Sequence, residues 1–246
     1  MELSQHSFED YVHHLVETHK GKRIHSFEYE GHLFWLKQPE VLGASWRLIK
    51  PNPNKAFQNE INTLINFAKS DAPVPQLLLT GEDFLVLKDA GPTLADWVEN
   101  TAVPENEKQH ILSEGVKALL ALHQKGLVHG RPAIRDMAWN GKQIRFIDLE
   151  THYEASAQKQ VYDLVIFIHS LCRSKVISDV EVKRLVSELA QQADTHIWQQ
   201  VLHLLQKYRF LYYLLLPFKP IARTDLIAIY RLFENMSFLM KEGKVG

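Results

Sequence analysis

Asp136 and Asp148 are two carboxylates whose spacing allows them to act together. Met137, Ala138 and Trp139 continue from Asp136 as one arm. Asn140 and Gly141 read as a hairpin turn, and Ile144 to Ile147 return as a buried strand that ends on Asp148. Such a hairpin brings its two ends side by side. Paired carboxylates suit Mg²⁺, a hard cation that takes oxygen ligands in nearly octahedral geometry and shares them with substrate phosphates. His129, Gly130 and Arg131 lead into this segment. A strand ending in Asp beside an Asn-Gly turn is nonetheless common in mixed folds, so the rest of the chain has to decide what the carboxylates are for.

Upstream, His32 to Lys37 alternate as a strand that ends on a lysine. A helix is predicted over Lys55 to Lys69, with Phe57, Ile61, Leu64, Ile65 and Ala68 on one apolar stripe. Glu60 shares that stripe, and an ionised carboxylate facing a core is costly without a cation, so Lys37 is its expected partner. The alternative is a Glu60 at the edge of the stripe, pointing to water.

The elements that must position these groups follow in order. Gln76 to Thr80 and Phe84 to Leu87 read as two strands around a turn at Gly81 to Asp83, and Lys88 to Gly91 as a connector. Thr93 is a natural cap for a short helix through Trp97 and Val98. Glu105 to Lys125 reads as a longer helix with Leu112, Val116, Leu119, Leu120 and His123 on one face, closed by Gly126. Val161 to Leu171 is strongly apolar yet contains Asp163, which is either a buried acid that needs partners or a first-turn acid favoured by the helix dipole. Three further helices are expected, at about Asp179 to Ala193, His196 to Leu216 and Thr224 to Lys241, with Ser178 and Thr224 as caps.

This order resembles the kinase-like superfamily, with bacterial lipopolysaccharide-core sugar kinases of the Kdo type and related small-molecule phosphotransferases as the nearest branch. The resemblance covers roughly residues 22 to 175. Kinases carry a His-Arg-Asp run with an Asn five positions after that Asp, and a metal-binding Asp-Phe-Gly on the next strand. Aligned on His129, this chain has Arg131 where the catalytic Asp belongs and Asp136 where the Asn belongs; Asp148, Leu149 and Glu150 resemble the Asp-Phe-Gly region, with Glu150 replacing glycine. Asp136 keeps an oxygen ligand for a metal, whereas Arg131 is a permanent cation and cannot accept a proton.

The resemblance implies an α+β, bilobal protein-kinase-like fold: an N-lobe over 1–90, with an N-terminal helix, a small antiparallel sheet and the Glu60 helix, and a helical C-lobe over 91–246 with the hairpin segment 129–150. It implies ATP and Mg²⁺ as cofactors. Lys37, held by Glu60, would take phosphates; Asp136 and Asp148 would hold the metal; Arg131 would stabilise the transferring phosphoryl group. Lys88, Asp89 and Ala90 would form the hinge that meets adenine, while His129 and Asp163 would support the catalytic loop. Only 14 residues lie between Asp148 and Asp163, too few for a peptide-docking activation segment, which points to a small-molecule or lipid-linked sugar as acceptor. There is no glycine-rich phosphate loop, so the basic run Lys20, Lys22 and Arg23 stands as a replacement or as solvated surface.

Composition sets the outer bounds. A chain of 246 residues with 46% hydrophobic content can bury a sizeable core, and a formal net charge of −1 gives no bulk attraction to nucleic acid. Cys172 is the single cysteine, which excludes an intrachain disulfide framework. No signal peptide and no membrane-spanning run are expected, so the location is read as cytoplasmic. The apolar stretch Phe210 to Phe218, followed by Lys219 and Arg223, reads either as helical core or as a peripheral contact of 210–223 with the inner membrane face. Two functional readings remain: an ATP- and Mg²⁺-dependent phosphotransferase acting on a sugar, lipopolysaccharide-core or other non-protein hydroxyl, and a pseudokinase that binds a nucleotide or partner. An unrelated mixed α/β protein is a third reading.

Overall fold

The structure is a computed structural model that describes residues 2–39, 53–149 and 155–242; Glu150 lies outside them. The chain divides into two compact units, residues 1–90 and 91–246.

In the first unit, helix α1 (Glu2–Thr18) precedes strands β1 (Ile24–Tyr29) and β2 (His32–Lys37). Tyr29 pairs with His32, leaving Glu30 and Gly31 as a two-residue turn with both φ values positive, the geometry that matches the twist of a tight hairpin. That turn is too short to fold over a phosphate. Helix α2 (Pro53–Lys69) follows, then β3 (Leu77–Thr80) and β4 (Leu85–Lys88). The four strands form one antiparallel sheet in the order β1-β2-β4-β3. Phe34 and Leu36 of β2 turn inward and join Phe27 and Val86 against Val12, Leu15 and Val16 of α1. Lys37, one residue on, therefore stands on the opposite face of the strand from Leu36.

The apolar stripe of α2 differs from the sequence expectation. Phe57, Ile61, Leu64 and Phe67 are buried, whereas Ala68 is exposed and Ile65 half-buried. The buried face thus passes through Phe67, whose larger ring takes the inner position. Strand β1 carries no distinctive sequence signal and emerges only from its pairing with β2.

In the second unit, α3 (Leu94–Glu99) begins at a capping box in which Thr93 and Asp96 satisfy each other's backbone N–H groups. Helix α4 (Glu105–Gln124) ends at Gly126, with φ +72; the Gly126 N–H donates to His123 and the Leu127 N–H to Leu122, closing the last turn. The hairpin β5 (Met137–Trp139) and β6 (Ile144–Phe146) turns through four residues rather than through Asn140-Gly141 alone, because Asn140 Oδ1 accepts the N–H groups of Lys142 and Gln143. Then come α5 (Ala157–Arg173), α6 (Asp179–Gln192), α7 (Thr195–Lys207), α8 (Arg209–Leu215), a 3-10 turn (Leu216–Ile221) and α9 (Thr224–Glu242). Helix α5 is the central rod: Leu164, Phe167, Ile168 and Leu171 are fully buried, and α6, α7 and α9 pack around it. Arg231 of α9 closes its C-terminal end by donating to the carbonyls of Cys172, Ser174 and Ile177.

Two helix expectations are corrected. The segment expected as one helix from His196 to Leu216 breaks at Tyr208, where α7 stops and α8 begins. Thr224 is the first helical residue of α9 rather than its cap, since the Ile227 N–H bonds the Arg223 carbonyl. From Tyr208 onward several large apolar side chains reach solvent: Tyr208, Phe210, Tyr213, Leu214, Phe218 and Ile221 are exposed. No helix among the described residues is long and apolar enough to cross a membrane.

Candidate active site

The first unit carries the cation and carboxylate that the sequence paired. Lys37 Nζ lies 3.1 Å from Glu60 Oε1, and both side chains are mostly but not wholly shielded from solvent. Strand β2 supplies the lysine at its end, and α2 supplies the glutamate beside its buried face. At the end of β4 the backbone is largely committed. The Lys88 N–H donates to the Gln76 carbonyl and the Asp89 N–H to the Leu33 carbonyl, while Asp89 Oδ1 accepts the Trp35 indole N–H at 2.6 Å. Ala90 is buried and ends this unit.

The second unit builds a loop and a hairpin around one buried acid. Asp163, two turns into α5, has no exposed surface. Its carboxylate accepts the backbone N–H of His129 at 2.8 Å, the N–H of Gly130 at 3.0 Å and the His123 Nε2–H at 3.1 Å. Three donors satisfy a charge that the core could not otherwise hold. His129 is buried as well, and that burial pushes its pKa below the ordinary value, keeping the ring neutral. Nε2–H then donates to the Ile147 carbonyl at 3.0 Å, and Nδ1 faces the Arg131 N–H at 3.4 Å. His129 therefore links the loop before Arg131 to Ile147, the residue between the end of β6 and Asp148.

Asp136 and Asp148 come together at the mouth of the hairpin. The Ile147 N–H donates to the Asp136 carbonyl at 2.9 Å, fixing one arm to the other at that level. Asp136 is 4% exposed, and burial pushes its carboxyl above the usual value; His129, Arg135 and Arg131 pull it down, and the nearby charge of Asp148 pushes it up again. Asp136 Oδ1 lies 3.6 Å from Arg135 Nε, whereas Oδ2 is buried without a hydrogen-bond partner. Asp148 is exposed and has φ +54, a left-handed backbone that costs an L-residue energy and that Asp tolerates better than most. The hairpin is tied to α3: Trp139 N–H donates to Pro92, and the Trp97 indole donates to the Trp139 carbonyl. Gly91 is required there, because a Cβ would stand 2.8 Å from the Trp139 carbonyl oxygen.

This donor set fits Mg²⁺. An orphaned buried carboxylate oxygen beside a second, accessible carboxylate offers two hard ligands and leaves the other positions to water and phosphate, as that ion prefers. Among the described residues no group of three His, Cys, Asp or Glu side chains forms an all-protein cage. Two contributors went unrecognised in the sequence. His123 stood on the buried face of α4, where a polar side chain must find a partner; Arg135 carried no signal at all.

The fold, a small antiparallel sheet in one unit and a mostly helical second unit, is similar to that of a solved phosphotransferase. The crystal structure of an aminoglycoside-3'-phosphotransferase of type VIII superposes with a TM-score of 0.53 over 88% of this chain and 89% of that one, at 12% identity. A structure of WbdD gives a TM-score of 0.45 at 14% identity, over 73% of this chain and 48% of the other. No protein-family model matches the chain. In sequence the chain belongs to one family with an uncharacterized protein of Haemophilus influenzae (strain ATCC 51907 / DSM 11121 / KW20 / Rd), 44% identical over 237 residues that cover 96% of this chain and 97% of that protein.

Proposed function

We propose that the protein is an ATP- and Mg²⁺-dependent phosphotransferase whose acceptor is a non-protein hydroxyl, on a sugar such as those of a lipopolysaccharide core. The observation that carries this reading is the buried, unpartnered Oδ2 of Asp136 beside the charge of Asp148. Leaving a carboxylate oxygen buried and unbonded is expensive, on the order of 1–3 kcal/mol or more for a charged group, unless a cation arrives to use it. Asp136 and Asp148 would hold Mg²⁺, which would supply positive charge to the phosphates. Lys37, oriented by Glu60, holds phosphate oxygens, and the backbone at Ala90 meets the adenine edge. Arg131 is a positively charged group for the transferring phosphoryl, and Asp136 is the nearest side chain able to take a proton. Transfer through a loose transition state relies on positioning and charge more than on a strong base, so an arginine at position 131 does not forbid it.

The second reading is a pseudokinase, and Arg131 is what favours it: its charge already bears on Asp136, so a built-in cation could replace the metal. A thermal-shift titration separates the two, since a ligand of the folded state alone raises stability by RT ln(1 + [L]/Kd). Stabilisation that needs both ATP and Mg²⁺ supports the enzyme. Stabilisation by neither supports the binding module.

The exposed face of residues 208–221 rests on an anionic lipid surface at the inner side of the membrane. Supporting this are six exposed large apolar side chains within 14 residues and the cations Lys207, Arg209, Lys219 and Arg223 among them, the combination that interfacial segments use.

A further inference from the structure

Beneath the 131–135 loop lies a cavity of about 790 Å³, built wholly within the second unit from α3, that loop, α5 and the start of α9. Its charge is lopsided. Arg131, Arg135, Arg173 and Lys175 line it against two acids, Glu99 and Asp225. Arg173 engages Asp225 at 2.6 Å, and with that pair neutral the other cations still outnumber Glu99. His169 stands among them, kept neutral by burial and therefore able to donate or accept a hydrogen bond. The floor is fixed: Ser170 Oγ accepts the Ile134 N–H and donates to the Phe167 carbonyl. Arg135 belongs both to this wall and to the surroundings of Asp136, 3.6 Å from its carboxylate. The cavity thus adjoins the group that would receive the acceptor's proton.

We infer that this cavity is the acceptor site and that it selects acceptors carrying a fixed negative charge, a phosphate or a carboxylate, on the sugar. The inference rests on the phosphotransferase reading for the word acceptor, but the anion site itself does not. Guanidinium groups bind planar or tetrahedral oxyanions through paired N–H donors, and several of them around one cavity of small-molecule size form a receptor for such a group. A neutral sugar would add no attraction to a lining in which cations outnumber acids, and a cationic one would be repelled.

The test is calorimetric titration of the whole protein with glucose 6-phosphate, glucuronate, glucose and glucosamine at millimolar concentration. It is repeated on the double variant Arg173→Gln, Lys175→Glu, two cavity residues that have no assigned role toward ATP or Mg²⁺. Binding of an anionic sugar, at least tenfold tighter than glucose or glucosamine and weakened at least tenfold in the variant, supports the inference; whether glucose 6-phosphate or glucuronate binds decides between phosphate and carboxylate. Equal binding of charged and neutral sugars, binding indifferent to the variant, or no binding of either anion overturns it. Stabilisation by ATP with Mg²⁺ is measured in parallel on both proteins. If ATP with Mg²⁺ binds and the anions do not, this inference fails and the phosphotransferase reading stands. If the anions bind and ATP with Mg²⁺ does not, that reading fails and the cavity remains an anion site.

Discussion

The carboxylate of Asp163 accepts the His129 backbone N–H at 2.8 Å, so a residue in the middle of the central helix fixes the start of the loop that carries Arg131 and Asp136. Removing it in Asp163→Ala leaves three donors unsatisfied, of which the His129 N–H and the His123 ring are buried and the Gly130 N–H half-buried. The expected loss is roughly 3–5 kcal/mol, measured by urea denaturation. Asp163→Asn keeps one acceptor oxygen, so it should lose less, with faster amide exchange confined to His129 and Gly130. Unchanged exchange at those two amides would show that the brace is not what holds the loop.

Asp148 should prove a strained residue kept for its charge. Its φ of +54 is paid for by every side chain with a Cβ. Asp148→Gly is therefore expected to be more stable than Asp148→Ala by about 1 kcal/mol, a few degrees in melting temperature. Both variants should lose Mg²⁺-dependent ATP turnover by at least about a hundredfold. Turnover at the wild-type level in either would exclude Asp148 from the metal site.

Asp136 carries the opposite sign. Burial raises its pKa in the folded state, so the folded protein binds this proton more readily than the unfolded chain, and the ionised group costs stability at neutral pH. Asp136→Asn is expected to gain about 1 kcal/mol at pH 7 while turnover falls. As the pH drops through the raised pKa toward the ordinary 3.8, wild type recovers that deficit and the two stability curves converge. Curves that stay parallel would rule out a carboxyl with a raised pKa at this position.

Glu60 acts through Lys37 rather than on a substrate. Glu60→Gln should therefore raise the Michaelis constant for ATP and lower kcat/KM by roughly 10–100-fold, the usual cost of losing an orienting partner. Little stability should be lost, because the pair is partly exposed. Steady-state kinetics and a melting curve on the same preparation check both halves.

The 208–221 face should bring the protein down with vesicles containing anionic lipid and not with neutral phosphatidylcholine vesicles. Phe210→Asp with Leu214→Asp, at two well-exposed positions, should abolish co-sedimentation and leave the melting temperature within about 1–2 °C of wild type, as surface changes do. Equal sedimentation of the double variant would remove the membrane contact.

What the sequence settled by itself was whatever short-range periodicity and chain order can encode. The β2 strand ending on Lys37, the Thr93 cap, the Gly126 stop of α4, and a hairpin with Asp136 and Asp148 at its two ends are each set within a few residues by spacing, capping and turn chemistry. Local patterning also required that Glu60 find a cation, because a carboxylate beside an apolar stripe is costly alone, and the resemblance to a kinase lysine strand pointed to Lys37 as that cation. Long-range packing decided the rest. Phe67 rather than Ala68 faces inward because neighbouring elements choose among the apolar side of α2. The break at Tyr208 and the pairing of β1 depend on what lies across the chain. His123 and Arg135 joined the site only once α4, α5 and the 131–135 loop were folded together. The orphaned oxygen of Asp136 is likewise invisible in the sequence, since whether a polar atom has a partner is a property of its surroundings in three dimensions.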